Sequence, residues 1–320
     1  MKLSRRFAVL ALVAGGWTAP AMVQAQGTAQ AWPERAVTVV VPWPAGGFTD
    51  KLGRLMAEKM AASLGKPVVV ENRPGASAGI GSEHVMRAAP DGYTLLVTST
   101  DGTVKLLQGK GTDPVTQLTQ ISMLASQPVT LSVGPKFKGN TLADFVAEAK
   151  RAPGTIAYAS NGEGGATHYG MEIFAKQAGI QLNHIPYKGT APALQDLVGG
   201  QVEATLVSLQ GVGAQLQSGR ARALAITSPR RVEAAPNIPT FAESGYPNFD
   251  LTLWYGMVGP KGLPDPIVRR LNQVLREALS APDVQQALRS QAAEPVSSTP
   301  EEMQQFVQKE AARWGAMIQK

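Results

Sequence analysis

Cysteine is absent from the 320 residues, which excludes disulfides, thiolate metal sites and a cysteine nucleophile. Histidine is nearly absent: His84, His168 and His184 form no H-x-H or H-x-x-x-H pair, so no metal-ligating cluster is expected. There is no Walker A pattern and no G-x-G-x-x-G with a downstream acid, so no nucleotide cofactor is expected either. Charged residues make up only 17% of the chain, and no segment is low-complexity or repeated. After residue 25 no apolar run is long enough to span a bilayer.

The formal charge of +6 is inflated by the first residues. Met1 to Ala25 reads as a secretory leader: Lys2, Arg5 and Arg6, an apolar stretch from Phe7 to Val13, then Val23-Gln24-Ala25 as the cleavage site. Those three basic residues go with it and leave a mature chain near +3, without a basic stripe interleaved with aromatics. Nucleic acid is therefore not an expected partner. An exported chain that is 44% hydrophobic and lacks disulfides must be held by packing.

What is present is organised around Ala36 to Asp50. Val37, Val39, Val40 and Val41 predict a buried strand, Pro42 and Pro44 stop it, and Gly46-Gly47 permit a tight turn. Thr49 or Asp50 is expected to cap a helix from about Lys51 to Leu64. Pro67 to Val70 predicts a second strand. A second glycine-rich turn, residues 71–81, leads into a helix from about Ser82 to Ala89, and Tyr93 to Thr98 a third strand. This βαβαβ order implies a parallel sheet. Residues 100–120 read as polar and irregular, and Ile121 to Val133 as one long extended segment. Thr155 to Ser160 followed by Asn161 to His168 repeats the opening arrangement, strand then glycine turn then helix. The last third predicts two helices, from Pro266 and from Pro300. The second carries the capping box Thr299-Pro300-Glu301-Glu302 and a core stripe of Met303, Phe306, Val307 and Trp314.

Two glycine turns at helix N-termini each collect unpaired N–H groups at the positive end of a helix dipole, the arrangement that holds anions. Either alone is also what an ordinary βα turn looks like; two in an exported chain favour binding. Gly75-Ala76-Ser77-Ala78-Gly79 matches the hydrolase elbow G-x-S-x-G, so an exported hydrolase using Ser77 is the alternative reading. Its context is poor, because Glu71 to Pro74 separate the strand from the turn and no histidine lies in the last third. No catalytic residue is assigned.

The motifs VVVPWPAGGFTD, VVVENRPGASAGIG, APDGYTLL, YASNGEGGATHYG, IPYKGTAPALQDLVGGQVEA, GRARALAITSPRR and NIPTFAESGYP occur in that order. In this the chain resembles the substrate-binding proteins of tripartite tricarboxylate transporters, the Bordetella-uptake-gene type of extracytoplasmic receptor. The resemblance covers essentially the whole mature chain. It implies an α/β, two-lobed periplasmic-binding-protein fold of type II, the Venus-flytrap arrangement. Residues 32–121 plus 229–320 would form lobe 1 and residues 122–228 lobe 2, with Ile121–Val133 and Ala223–Thr227 as the crossings. It further implies a monomeric periplasmic receptor that binds a small organic carboxylate without chemically changing it. The receptor would deliver that ligand to the membrane subunits of a tripartite tricarboxylate system or, alternatively, serve a membrane sensor.

Carried over by position, the resemblance assigns Gly46, Gly47, Phe48 and Thr49 to one end of the ligand, with Asp50 fixing the loop. Ser160, Asn161, Gly164, Thr167 and His168 match the family's S-x-G-x-G-x-x-x-H turn and are expected to face the same cleft. Tyr187 and Lys188 match its YKG segment, with Lys188 as charge partner, while Ala78 and Gly79 are expected to add amides. Two departures stand out: Trp43 and Phe48 are bulky for their places, and Thr100 to Gly111 fits the family poorly, with Asp101 and Lys105 near the expected ligand path.

Overall fold

The valine run forms β1 (Val37–Val41), followed by α1 (Phe48–Leu64), β2 (Val68–Asn72), α2 (Gly79–Met86) and β3 (Thr94–Ser99). The computed structural model describes residues 32–108 and 114–318, so the leader expected at 1–25 lies outside the described residues. Val37, Val39, Val40 and Val41 expose no surface, as a strand covered on both faces requires. β2 and β3 flank β1 and run parallel to it, with Val37 opposite Val68 and Val39 opposite Leu95. α1 starts at Phe48, before the expected Lys51, because Gly47 and not Thr49 or Asp50 is its N-cap. α2 likewise starts at Gly79 and not at Ser82.

Residues 100–108 and 114–120 are not irregular. They contain α3 (Thr100–Gln108), α4 (Pro114–Gln117) and the start of β4 (Leu118–Val133). Thr100, Asp101, Thr103 and Val104 of α3 are all buried, so its polar composition conceals an interior helix. Thr100 earns its place by accepting the Trp254 N–H through Oγ1 at 2.9 Å.

The chain continues through α5 (Leu142–Arg151), β5 (Ala157–Ser160), α6 (Ala166–Ala178), β6 (Asn183–Pro186), α7 (Thr190–Val198), β7 (Ala204–Ser208), α8 (Leu209–Gln217) and β8 (Arg222–Ile226). It returns as β9 (Thr252–Pro260), α9 (Asp265–Ser280), α10 (Pro282–Arg289), β10 (Glu294–Pro295) and α11 (Pro300–Ile318). The C-terminal part thus has three helices where two were expected. A single residue, Ala281, separates α9 from α10 and serves as both the C-cap of one and the N-cap of the other. The Thr299–Glu302 capping box forms, with reciprocal bonds of 2.8 and 3.1 Å, and Met303, Val307 and Trp314 are buried as expected.

β4 joins two sheets. From Leu118 to Pro128 it pairs antiparallel with β9, which lies beside β3; from Val129 to Val133 it pairs with β7 and β8. Two register shifts against β9 and one against β8 twist it between the sheets. In the second sheet β5 runs parallel to both β6 and β7. Each sheet has its own core: Val40, Leu96, Trp254 and Val258 in one, and Ala159, Leu194, Leu197 and Val207 in the other. At the junction the Thr227 hydroxyl accepts the Val129 N–H at 3.0 Å and donates to the Leu251 carbonyl at 2.6 Å. It ties the strand that leaves the first sheet to the segment that returns to it.

Candidate functional site

A cavity of about 950 Å³ opens between the two sheets, and three helices begin at its wall. The first is α1, entered through Trp43 to Thr49. Gly46 adopts φ +89°, a backbone conformation costly for any residue with a Cβ. The N–H groups of Gly47, Phe48 and Thr49 have no acceptor among the described residues, as expected for the first turn of a helix without a side-chain cap.

Asp50 is not in the wall. It is buried at 3% exposure and fixes the loop from behind. Its Oδ2 accepts the Gly46 N–H at 2.9 Å and Arg54 Nε at 3.1 Å, and its Oδ1 accepts Asn72 Nδ2 at 2.9 Å. Asn72 Nδ2 also reaches the Trp43 carbonyl at 3.1 Å, so one network holds both ends of the turn. Burial pushes the Asp50 carboxyl up, but the bonds from Arg54, Gly46 and Asn72 outweigh it and hold the pKa below the ordinary value. The Phe48 ring packs on Tyr255, centroids 4.7 Å apart, and both line the cavity.

The second helix at the wall is α7, through Lys188, Gly189, Thr190 and Ala191, and the third is α8, through Ser208, Gln210 and Gly211. Thr190 Oγ1 donates to Asn161 Oδ1 at 3.0 Å, and Ser208 caps α8 by accepting the Gly211 N–H at 3.2 Å. Lys188 and Arg220 are the cations of the wall. The sequence predicts helices from about Ala191 and from Val212 but gives no reason to assign their N-termini to a site; Gly189 before Thr190 and Ser208 after a strand are the start signals.

The turn before α6 is built differently. Of the residues expected there, only Asn161 lies in the wall. Ser160 Oγ bonds His184 Nε2 at 2.7 Å, Thr167 Oγ1 accepts the Asn161 N–H at 3.1 Å, and His168 Nδ1 accepts the Gly164 N–H at 3.1 Å. Ser160, Thr167 and His168 therefore shape the turn from inside. The His168 and His184 rings stack 3.8 Å apart at 8°. Burial lowers both pKa values, and for His184 the neighbouring His168 adds to the effect, taking it down to about 4. Tyr187 turns away from the cavity and donates to Asp196 Oδ2 at 2.6 Å; burial, then that bond, pushes its hydroxyl up to about 12.

Ala78 and Gly79 also lie outside the wall. Ala76, Ser77 and Ala78 all have positive φ, and this left-handed stretch carries Ser77 against the α6 turn, where its hydroxyl donates to the Glu163 carbonyl at 3.2 Å. Among the described residues Ser77 makes no hydrogen bond to a histidine. Lys105 is half-buried beside Gln108, its Nζ 3.4 Å from Oε1, and is not in the wall; Asp101 is.

The family model described as "Tripartite tricarboxylate transporter family receptor" matches residues 52–320. Protein BugT of Bordetella pertussis is 37% identical over 322 residues, covering 99% of this chain and 98% of its own. Among solved structures, the periplasmic binding protein BugD is 36% identical with a TM-score of 0.82, over 90% of this chain and 98% of its own. An R. palustris protein solved with adipate is 33% identical with a TM-score of 0.84, over 90% of this chain and 97% of its own. The fold is that of the periplasmic binding proteins, in the two-lobed α/β form that the resemblance implied. The chain belongs to the tripartite tricarboxylate transporter receptor family.

Proposed function

We propose that the protein is a periplasmic solute receptor that binds a small organic carboxylate in the cavity between its lobes and delivers it to a tripartite tricarboxylate-type membrane transporter. The observation that carries this reading is the convergence of three helix N-terminal turns, those of α1, α7 and α8, on one cavity that also holds Lys188 and Arg220. The free amides of Gly47, Phe48 and Thr49 take one carboxylate, and the Phe48–Tyr255 pair packs against the ligand's carbon skeleton. The relative solved with adipate supports the ligand class. Residues 32–121 with 229–320 form one lobe and 122–228 the other. The change of partners along β4, a little beyond residue 121, supports a hinge there. The leader at 1–25 is removed on export.

The test is a thermal-shift screen of the chain from residue 26 against mono-, di- and tricarboxylates. Ligand at 100 times its Kd adds about 2.7 kcal/mol, a shift of several degrees. Gly47→Leu is the control. A Cβ at Gly47 meets only the Pro44 carbonyl, at 3.8 Å, so the variant folds with the first turn of α1 blocked and loses the shift. No shift with any acid in the unaltered protein would remove the proposal. Loss of uptake of the same acid on deleting the gene tests the transporter role.

A further inference from the structure

The turn that enters α6 meets three side chains, one from the turn before α2 and two from α3, and a glycine faces each. A Cβ on Gly162 would lie 2.7 Å from Ser77 Oγ, one on Gly164 2.5 Å from Gln108 Oε1, and one on Gly165 2.9 Å from Asp101 Oδ1. Gln108 Nε2 donates to the Gly164 carbonyl at 2.6 Å, and Asp101 Oδ1 accepts the Ala166 N–H at 2.8 Å. The anion position at the N-terminus of α6 is thus occupied by a carboxyl of the chain itself.

Asp101 differs from the other two contacts because it also lines the cavity, although it is only 7% exposed. Its Oδ1 is engaged with α6, whereas Oδ2 has no hydrogen-bond or ion-pair partner among the described residues. Oδ2 belongs to a residue of the cavity wall and is not among the fully buried polar atoms, so a donor in the cavity can reach it. The other charged groups of the wall are the cations Lys188 and Arg220. Tyr255, also in the wall, has its hydroxyl on Gln127 Oε1 at 3.2 Å.

We propose that Asp101 sets the ligand specificity of this cavity: one oxygen fills the α6 anion position and the other receives a cationic or N–H donor group of the ligand. The inference rests on the carboxylate reading above and narrows it. The ligand is a carboxylic acid that carries an amino-type group at its far end; a second carboxylate placed there would meet Asp101 as a like charge. Burial of Asp101, which raises its pKa to about 6, is consistent with a carboxyl that still lacks its counter-charge.

The test is isothermal titration with probes matched in length: 5-aminopentanoate against adipate, 4-aminobutyrate against glutarate, and pentanoate as the acid with no second polar group. The unaltered protein is expected to bind at least one amino acid of these pairs roughly tenfold or more tighter than its diacid. Asp101→Asn keeps an acceptor for the Ala166 N–H and removes the charge; it is expected to bring the ratio to within about threefold. A diacid preference in the unaltered protein overturns the inference whether or not the variant folds, and so does an unchanged ratio in Asp101→Asn; both leave the carboxylate reading standing. Failure of the unaltered protein to bind any of these probes overturns the inference, and the wider thermal-shift screen above then decides the carboxylate reading separately.

Discussion

Replacing Asp50 by Asn should cost nearly as much as replacing it by Ala, although Asn has the same shape. Both carboxyl oxygens accept from donors: Oδ2 from Gly46 and Arg54, and Oδ1 from Asn72 and Arg54. An Asn side chain must turn its NH2 toward one of those donor sets, leaving a donor facing a donor in a buried place. The Arg54 side chain is 53% exposed, so its share is screened and worth at most about 1 kcal/mol. The Gly46 and Asn72 bonds end on a carboxylate at 3% exposure, and each contributes about 1 kcal/mol or somewhat more. Either substitution is therefore expected to destabilise by about 2–3 kcal/mol. Urea unfolding with an unchanged m-value reads this directly. The pH dependence adds a second check. The Asp50 pKa is lowered in the folded state, so its contribution is present above the carboxylate's unfolded pKa and lost as pH falls through the folded one. The gap between the protein and Asp50→Asn should close in acid. Asp50→Asn within about 0.5 kcal/mol of the unaltered protein would refute the claim that this network holds the α1 turn.

Three further outcomes are expected. Gly165→Ala places a Cβ 2.9 Å from Asp101 Oδ1 and should cost about 1–3 kcal/mol, a loss that Asp101→Gly in the same chain relieves in a double-mutant cycle. Thr227→Val leaves the Val129 N–H and Leu251 carbonyl without their partner at the junction of the sheets; a loss of about 2–3 kcal/mol in urea unfolding is expected. The pKa of Asp101 is raised in the folded state, so its ionisation weakens folding as pH climbs from about 4 to about 6, and the stability of the protein relative to Asp101→Asn should fall over that range. A flat difference between the two melting profiles would contradict it.

The parts of the fold that were legible are those where pattern and burial agree. The β1 valines, the alternating strands and helices of both sheets, and the Thr299–Glu302 box all declare themselves through periodicity or capping chemistry. The parts missed are those where tertiary packing overrides composition. α3 reads as loop because Thr100, Asp101 and Thr103 are polar, yet all three are buried, Thr100 by bonding to the β9 backbone. α10 is hidden because Ala281 alone separates it from α9. α1 starts earlier than expected because Gly47 and not Thr49 or Asp50 is its N-cap, and α2 because the left-handed Ala78 is its N-cap and admits a helix at Gly79.

The same distinction applies to the two glycine turns, which look alike in sequence but have their glycines for different reasons. At Gly46 a Cβ would meet nothing within 4 Å, and at Gly47 only the Pro44 carbonyl at 3.8 Å. There φ and the free amides account for glycine, and the space in front of the turn is open to a ligand. At Gly162, Gly164 and Gly165 a Cβ would strike the Ser77, Gln108 and Asp101 side chains, so close approach of another part of the chain adds to the positive φ of Gly162 and Gly164. A strand–glycine–helix pattern signals exposed amides in both cases, and sequence alone does not say whether a ligand or a side chain meets them. Only the position of α3 decides it, and α3 is the element that polar composition concealed. With Asp101 taking the amide of α6, the α1 turn keeps its free N–H groups at the cavity wall, which also carries the Asp101 carboxyl and the cations Lys188 and Arg220. A receptor arranged in this way distinguishes ligands by the group opposite their carboxylate.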